Sequence, residues 1–361
     1  VKISGNQLFW IMFCFQVHYA LNPALLYGKQ DAWIICAMGG IAAVFLTLVM
    51  VKISLMSKGE AFVVYCQKVL GKGLGKGIVL LYLPVWFMLL VVTLREWADY
   101  VFLKLLPNTP VIMVVLPIVL LMIYVNLKGG ITAVGRCSQI IGPLYFLISF
   151  VPFFMLFGIM DWTNLLPVYQ DTGWRHMLRG TVPTMALMMG GTTVPFMITE
   201  FDSEPTNITK GAIWAIGLST LWVFLASVAS VLALGSHQAP QLTIPWVDTI
   251  RLISILNFIQ NVDAFAVCIY TLAHFISIST ILFGTSYGFA QSFNLKNWKR
   301  TAWVVAGLAL FFVILTSDLG HITKLYRETI WIPWIFPIHM IGIPLLLLVA
   351  GILKNRRLLR V

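Results

Sequence analysis

Charge is scarce in this chain. Only 10% of its 361 residues are Asp, Glu, Lys or Arg, where a soluble domain of this length carries about 25%. Hydrophobic residues make up 60%. One core cannot hide that much apolar surface, so lipid must cover it and a water-soluble globule is excluded. Cysteine is sparse as well. Cys14, Cys36, Cys66, Cys137 and Cys268 are scattered singly, mostly in apolar runs. That spacing fits neither a metal site nor a disulfide framework, and reads as small apolar filler. Catalytic signatures are missing too: there is no HExxH and no Walker-type GxxxxGK[ST]. The expectation is a protein that is not an enzyme and takes no cofactor and no metal. No small-residue cleavage site follows the first apolar run, which reads as a retained helix.

What is present is a series of apolar runs of about 18–25 residues, the length needed to cross a bilayer as a helix. Barrels need alternating polar and apolar residues. Runs such as 34–51 and 330–353 are apolar all round, so helices are the solution. Ten spans are expected, at 5–27, 32–54, 77–103, 109–127, 137–160, 181–201, 209–235, 258–291, 300–317 and 329–353. The eighth is long for one crossing, which implies an interfacial start or a strong tilt. Residues 60–70 and 245–256 read as short helices lying at the surface. The alternating glycines and lysines of 70–77 read as a flexible basic turn meeting anionic lipid.

Lys and Arg orient the chain. With the N-terminus inside, sixteen of the 24 fall in cytoplasmic segments and eight outside. Both termini are therefore expected in the cytoplasm, and the net charge of +11 is mostly an orientation signal. No folded basic face for nucleic acid is expected.

Ten spans divide into five plus five. An odd-numbered repeat inverts its second copy, and many secondary transporters are built that way, with the first helix of each half broken near mid-membrane. The fold class expected is an all-α membrane protein in one transmembrane domain, with a first repeat over 1–160 and a second over 181–353. Spans 1 and 6 carry the interruptions this plan requires. Span 1 has Gln16, Val17, His18 and Tyr19, then Asn22-Pro23. Span 6 has Met189, Gly190, Gly191, Thr192 and Thr193, then Pro195. Freed backbone groups inside a membrane need a partner, and a ligand can be that partner. A mere kink in a packed helix is the other reading.

Polar residues at the same depth extend the candidate ligand site. His274 and Ser277 of span 8 are three apart and share a face. His274 reads equally as an interhelical hydrogen bonder. Trp86 and Leu89 of span 3 are candidates for the apolar wall. Charges inside spans are costly and so mark candidate function. Arg95, Glu96 and Asp99 lie in the outer half of span 3, with Arg95 and Asp99 spaced to pair. They read as a rim ion pair or as an outer gate, which Asp263 can join or leave as a solvated helix start.

Four pieces carry a resemblance: Lys29-Gln30-Asp31-Ala32-Trp33-Ile34, Asn164-Leu165-Leu166-Pro167-Val168, Ile250-Arg251-Leu252-Ile253-Ser254-Ile255, and Gly288-Phe289-Ala290-Gln291-Ser292-Phe293-Asn294-Leu295-Lys296. In this order and spacing the chain resembles the B subunits of endospore nutrient germinant receptors, a branch of the amino acid–polyamine–organocation transporter superfamily. The resemblance implies a receptor in the spore inner membrane, assembled with A-type and C-type subunits. It implies a small nutrient, such as an amino acid, bound between spans 1, 3, 6 and 8, with ion release and germination as the response. It also implies a glutamate shortly after the glycine of span 6 and an arginine near the start of span 8. This chain has Thr192 and Asn261 there. The rival reading is a proton- or sodium-driven amino-acid transporter, which the same fold serves equally well.

Overall fold

The computed structural model describes residues 2–15, 21–169, 172–201, 205–242, 244–253, 262–316 and 325–358. Among these there is no β-strand, and helices follow one another with short connections. In chain order they are α1 (Gly5–Cys14), α2 (Leu21–Gly28), α3 (Ala32–Met56), α4 (Phe62–Leu70), α5 (Lys72–Lys104) and α6 (Val111–Leu156). Then come α7 (Gly173–Met188), α8 (Val194–Ile198), α9 (Pro205–Leu234), α10 (Pro245–Arg251), α11 (Val262–Ser292) and α12 (Trp298–Leu315). The last span is α13 (Arg327–Gly342), wound as a π-helix around Pro333 and Pro337, running on into α14 (Ile343–Leu358).

Among the described residues, eight helical stretches are long and apolar enough to cross a membrane. Ten spans underlie that number. The first is broken into α1 and α2, and the fourth and fifth run on as α6. No loop separates those two, contrary to the sequence expectation. Instead α6 folds back at Gly130, where φ is 56° and ψ −147°. Side chains rarely adopt that φ, and a Cβ there would also press on the Phe283 ring at 3.2 Å.

Local chemistry sets several helix starts. The Ser4 hydroxyl accepts the Gln7 N–H at 3.2 Å, while the Gln7 side chain accepts the Ser4 N–H at 3.1 Å. This reciprocal cap starts α1. Asn297 starts α12 by accepting the Lys299 N–H at 3.1 Å. The basic 70–77 segment departs from the flexible turn expected of it. Only Gly71, at φ 89°, turns the chain, and α5 begins at Lys72. Gly75 sits so close to α4 that a Cβ would fall 2.5 Å from the Cys66 carbonyl oxygen. Glycine here lets two helices meet.

The face of the bundle that holds Ser4, α4 and Gly130 is called the near face below, and its opposite the far face. Large aromatics fill the interior: Trp86, Trp222, Trp246, Tyr82, Tyr145 and Tyr270 are fully buried. Ile41, Ile140, Phe154 and Trp214 are more than two-thirds exposed, as lipid-facing side chains are. The α10 segment also departs from expectation. It is not a surface helix: Pro245, Trp246, Val247, Thr249 and Ile250 are all buried. Trp246 stacks obliquely on Phe153 with ring centroids 4.5 Å apart, and the Thr249 hydroxyl reaches Ser230 at 3.1 Å. A tryptophan and two β-branched aliphatics in seven residues suit insertion better than solvent.

Two of the four sequence pieces meet on the far face. Asp31 is fully buried, and both its carboxylate oxygens accept the Tyr169 N–H at 3.1 Å. Next to it, Gln30 donates to the Pro167 carbonyl at 3.3 Å. The turn before α3 is thereby fastened to the connection between α6 and α7.

Candidate functional site

The two broken spans lie side by side. In span 1, α1 ends at Cys14 and α2 resumes at Leu21. Gln16, Val17, His18 and Tyr19 fall between them, outside the described residues. A helix end inside a membrane leaves carbonyls without intrahelical partners. Ser277 of α11 meets that need: its hydroxyl donates to the Cys14 carbonyl at 2.9 Å.

In span 6, α7 ends at Met188 and α8 begins at Val194. Met189 to Thr193 wind more tightly between them and pack against α1. Here the freed carbonyls are held locally. The Thr192 hydroxyl donates to the Met189 carbonyl at 2.6 Å, and the Thr193 hydroxyl to the Gly190 carbonyl at 3.1 Å. Thr192 is fully buried and Gly191 buried, while Gly190 is half-buried. Among the described residues, no atom outside its own turn lies within 4 Å of where a Gly190 side chain would start.

Tyrosines build the wall beside the break. Phe13 of α1, Tyr145 of α6, Tyr270 of α11 and Tyr100 of α5 form a chain of rings with centroids 5.4, 5.9 and 5.6 Å apart. His274 lies one turn from Tyr270, and its Nδ1 is 2.8 Å from the Tyr270 carbonyl. Ser277 follows His274 three residues later on the same side of α11. Trp86 does not join them. It is buried against Gly288, eleven residues and about 16 Å of helix from Ser277. Leu89 is half-buried and packs on the same core.

Trp86 lines a different feature, a narrow cleft wide enough for about one water. Phe62, Phe196, Met197, Glu200 and Tyr287 also line it. At its edge an exposed Glu200 accepts the Tyr287 hydroxyl at 2.5 Å and the Gln291 amide at 3.0 Å. The end of span 6 is thereby held to the near-face end of span 8. Ile3 adds a backbone N–H to the Phe201 carbonyl at 2.6 Å.

The charges of span 3 form two pairs toward the far face. Arg95, only 5% exposed, contacts Asp99 at 2.6 Å. Glu96 reaches across to Arg327, the first residue of α13, at 3.2 Å. The Asp263 side chain lies outside the described residues. Trp97 links the same stretch to α11 by donating to the Thr271 hydroxyl at 3.1 Å. Among the described residues no group of three His, Cys, Asp or Glu side chains is placed to hold a metal. Among the described residues, the two breaks bring together backbone carbonyls, hydroxyls and aromatic faces.

The model of the spore germination protein family matches residues 2–319. The chain belongs to that family. Its relatives in Bacillus subtilis (strain 168) include spore germination protein KB, 23% identical over 362 residues, covering 99% of this chain and 96% of that protein. Spore germination protein YndE of the same strain is 26% identical over 269 residues, 74% of this chain and 73% of that one. Solved structures agree on the fold. MhsT in complex with L-phenylalanine gives a TM-score of 0.69 at 12% identity, over 92% of this chain and 88% of that one. Mhp1, a nucleobase-cation-symport-1 family transporter in a closed conformation with bromovinylhydantoin bound, gives 0.64 at 13%, over 97% and 90%. This spore germination family member is thus a multi-pass membrane protein with the transporter fold of two inverted five-span repeats. Its family and fold are those of permeases.

Sequence reasoning passed over several residues that this family member places near the breaks. Tyr100, Tyr145 and Tyr270 are single tyrosines in apolar runs, each with a hydroxyl that must find a partner. That requirement was a usable signal. Trp246 and Glu200 had none, because their positions depend on how α10 and span 6 fold.

Proposed function

We propose that this chain is the B-type subunit of an endospore nutrient germinant receptor. It senses a small nutrient, of amino-acid class, at the breaks of spans 1 and 6. The observation that carries this reading is the Ser277 hydroxyl on the Cys14 carbonyl, beside a second break capped by Thr192 and Thr193. Two interrupted helices packed side by side present carbonyl oxygens that each keep a second lone pair, which an ammonium can meet. Tyrosine faces suit the ammonium.

In this reading the protein sits in the spore inner membrane with both termini in the cytoplasm, and the near face is the cytoplasmic one. A-type and C-type subunits read its state. Ligand shifts the packing of spans 1 and 6 by its differential affinity for the occupied and empty arrangements. The test is a panel of amino acids and sugars added to the purified full chain, alone and co-expressed with partner subunits, with thermal stabilisation as readout. A stabilising nutrient whose effect is lost in Gly190→Trp and Ser277→Phe supports the site. Stabilisation that survives both substitutions refutes it.

Net transport of an amino acid is the second reading. What favours it is the cleft at Glu200, which lies on the near-face side of the breaks. Uptake into proteoliposomes distinguishes the two.

A further inference from the structure

We propose that the far-face start of span 6 binds an anionic phospholipid, its phosphate on Arg175 and Arg179 and an acyl chain along the apolar row beside them. Both arginines are exposed, and they lie four residues apart on one side of α7. Next to them Trp174, Leu178 and Val182 form a second row with the same spacing, and all three are exposed. The row runs from the far face into the span, and beyond Val182 the residues from Pro183 to Ala186 are buried. The Arg175 guanidinium lies over the Trp174 ring, 5.6 Å from its centroid. That contact holds the first charge at the level of an interfacial tryptophan, where headgroups sit.

Local physics disfavours these charges unless something outside the chain answers them. Cations in the first turns of a helix oppose its dipole, and α7 starts at Gly173. Like charges four apart repel each other. A third cation joins them: the Thr172 hydroxyl, just before α7, donates to the Gly28 carbonyl at 3.2 Å, and the adjacent Lys29 is exposed. Among the described residues no carboxylate pairs with Lys29, Arg175 or Arg179. Asp31, two residues on from Lys29, is buried and committed to the Tyr169 N–H. Of the eight Lys and Arg assigned to this side of the membrane, Arg95 and Arg327 meet carboxylates inside the bundle, and three of the others gather here. Residues that break local rules together mark a functional surface.

A phospholipid answers both rows at once. Arginine grips a phosphate through parallel N–H donors. A zwitterionic headgroup would bring an ammonium to the same cations, so an anionic headgroup such as phosphatidylglycerol fits better. An acidic peptide would match the arginines and leave the apolar row, which continues into the span, without a partner. The lipid site rests neither on the nutrient site nor on which face of the chain is cytoplasmic. Because α7 leads to the turn at Met189–Thr193, a bound lipid bears on the far-face half of the broken span. Any consequence for sensing rests on the site proposed above.

The test uses the full chain in phosphatidylcholine bilayers, into which phosphatidylglycerol or phosphatidylcholine with brominated acyl chains is mixed. Bromine quenches a tryptophan it touches, and the part of the quenching that Trp174→Phe removes reports this surface. In the wild type, phosphatidylglycerol is expected to be preferred here by about tenfold, the scale of one charge-assisted contact. Arg175→Gln with Arg179→Gln should abolish the preference, whereas Lys72→Gln with Lys76→Gln, on the near face, should leave it intact. Inorganic phosphate should compete no better than sodium chloride of equal ionic strength. Equal quenching by the two lipids in the wild type, or a preference that survives the double arginine substitution, would overturn the site. Specific displacement by inorganic phosphate would overturn the lipid as its ligand. Where the double variant does not fold, Arg175→Gln and Arg179→Gln are measured singly; each should weaken the preference, and an unchanged preference in both overturns the proposal equally.

Discussion

Ser277 donates its hydroxyl to the carbonyl of Cys14, 263 residues away in sequence and 2.9 Å away in space. The bond puts a span 8 side chain on the end of a helix that stops inside the bilayer. Ser277→Ala leaves that carbonyl without this donor and is expected to destabilise the protein by about 1 kcal/mol, the scale of interhelical hydrogen bonds in membranes. Ser277→Thr keeps the hydroxyl and should retain most of the stability. SDS titration in mixed micelles measures both. A fully stable Ser277→Ala would mean that the bond does not hold the break.

Gly190 offers a graded probe. A methyl there meets no described atom within 4 Å, so Gly190→Ala is expected to fold with near wild-type stability. Gly190→Trp sets a bulky ring beside the break and should remove nutrient-dependent stabilisation while the unliganded protein still melts cooperatively. Thermal melts with and without the stabilising nutrient separate the two substitutions.

The Glu96–Arg327 pair joins span 3 to span 10 at 3.2 Å, with both side chains largely buried. Removing one partner strands the other, at a cost of about 3 kcal/mol for a buried pair. Glu96→Gln with Arg327→Gln should recover part of that loss. A double-mutant cycle that comes out additive would show that the two charges do not act as a pair.

Asp31 holds the Tyr169 N–H with both oxygens from a fully buried position. Asp31→Ala is expected to cost about 2 kcal/mol, and Asp31→Asn less, because the amide oxygen still accepts. Faster proteolysis of the 161–172 connection in Asp31→Ala is the readout. Unchanged cleavage would leave the fastening without energetic weight.

Glu200 is expected to keep the near-face cleft shut through Tyr287 and Gln291. Glu200→Gln weakens charge-assisted bonds to neutral ones. A cysteine at Met197, which lines the cleft, should then react faster with a polar thiol reagent, by about tenfold for the loss of one such bond. Identical rates with and without the Glu200→Gln substitution would remove the clasp.

Much of this protein could be read from its sequence because the bilayer is an unforgiving solvent. Backbone groups must be satisfied and apolar runs must match its thickness, so the spans and the interruption at Gly190-Gly191 were visible locally, whereas Asn22-Pro23 proved to lie inside α2 and span 1 breaks before it. The Arg95–Asp99 pair was visible for the same reason, being one helical turn long. Where sequence reasoning placed Trp86 near the break, only depth along α5 was available to it. The depth of α5 relative to α11 comes from the Gly288 contact, which no local pattern encodes.

By itself the sequence determined that the chain spans a membrane repeatedly as helices, which helices are interrupted, and which family it joins. Those properties follow from composition, helical period and residue order. Tertiary structure alone decided that Glu96 answers Arg327, that α10 plugs into the bundle, and that Ser277 caps Cys14. Each of these joins residues on different helices, and such pairings are set by how side chains interdigitate when helices cross.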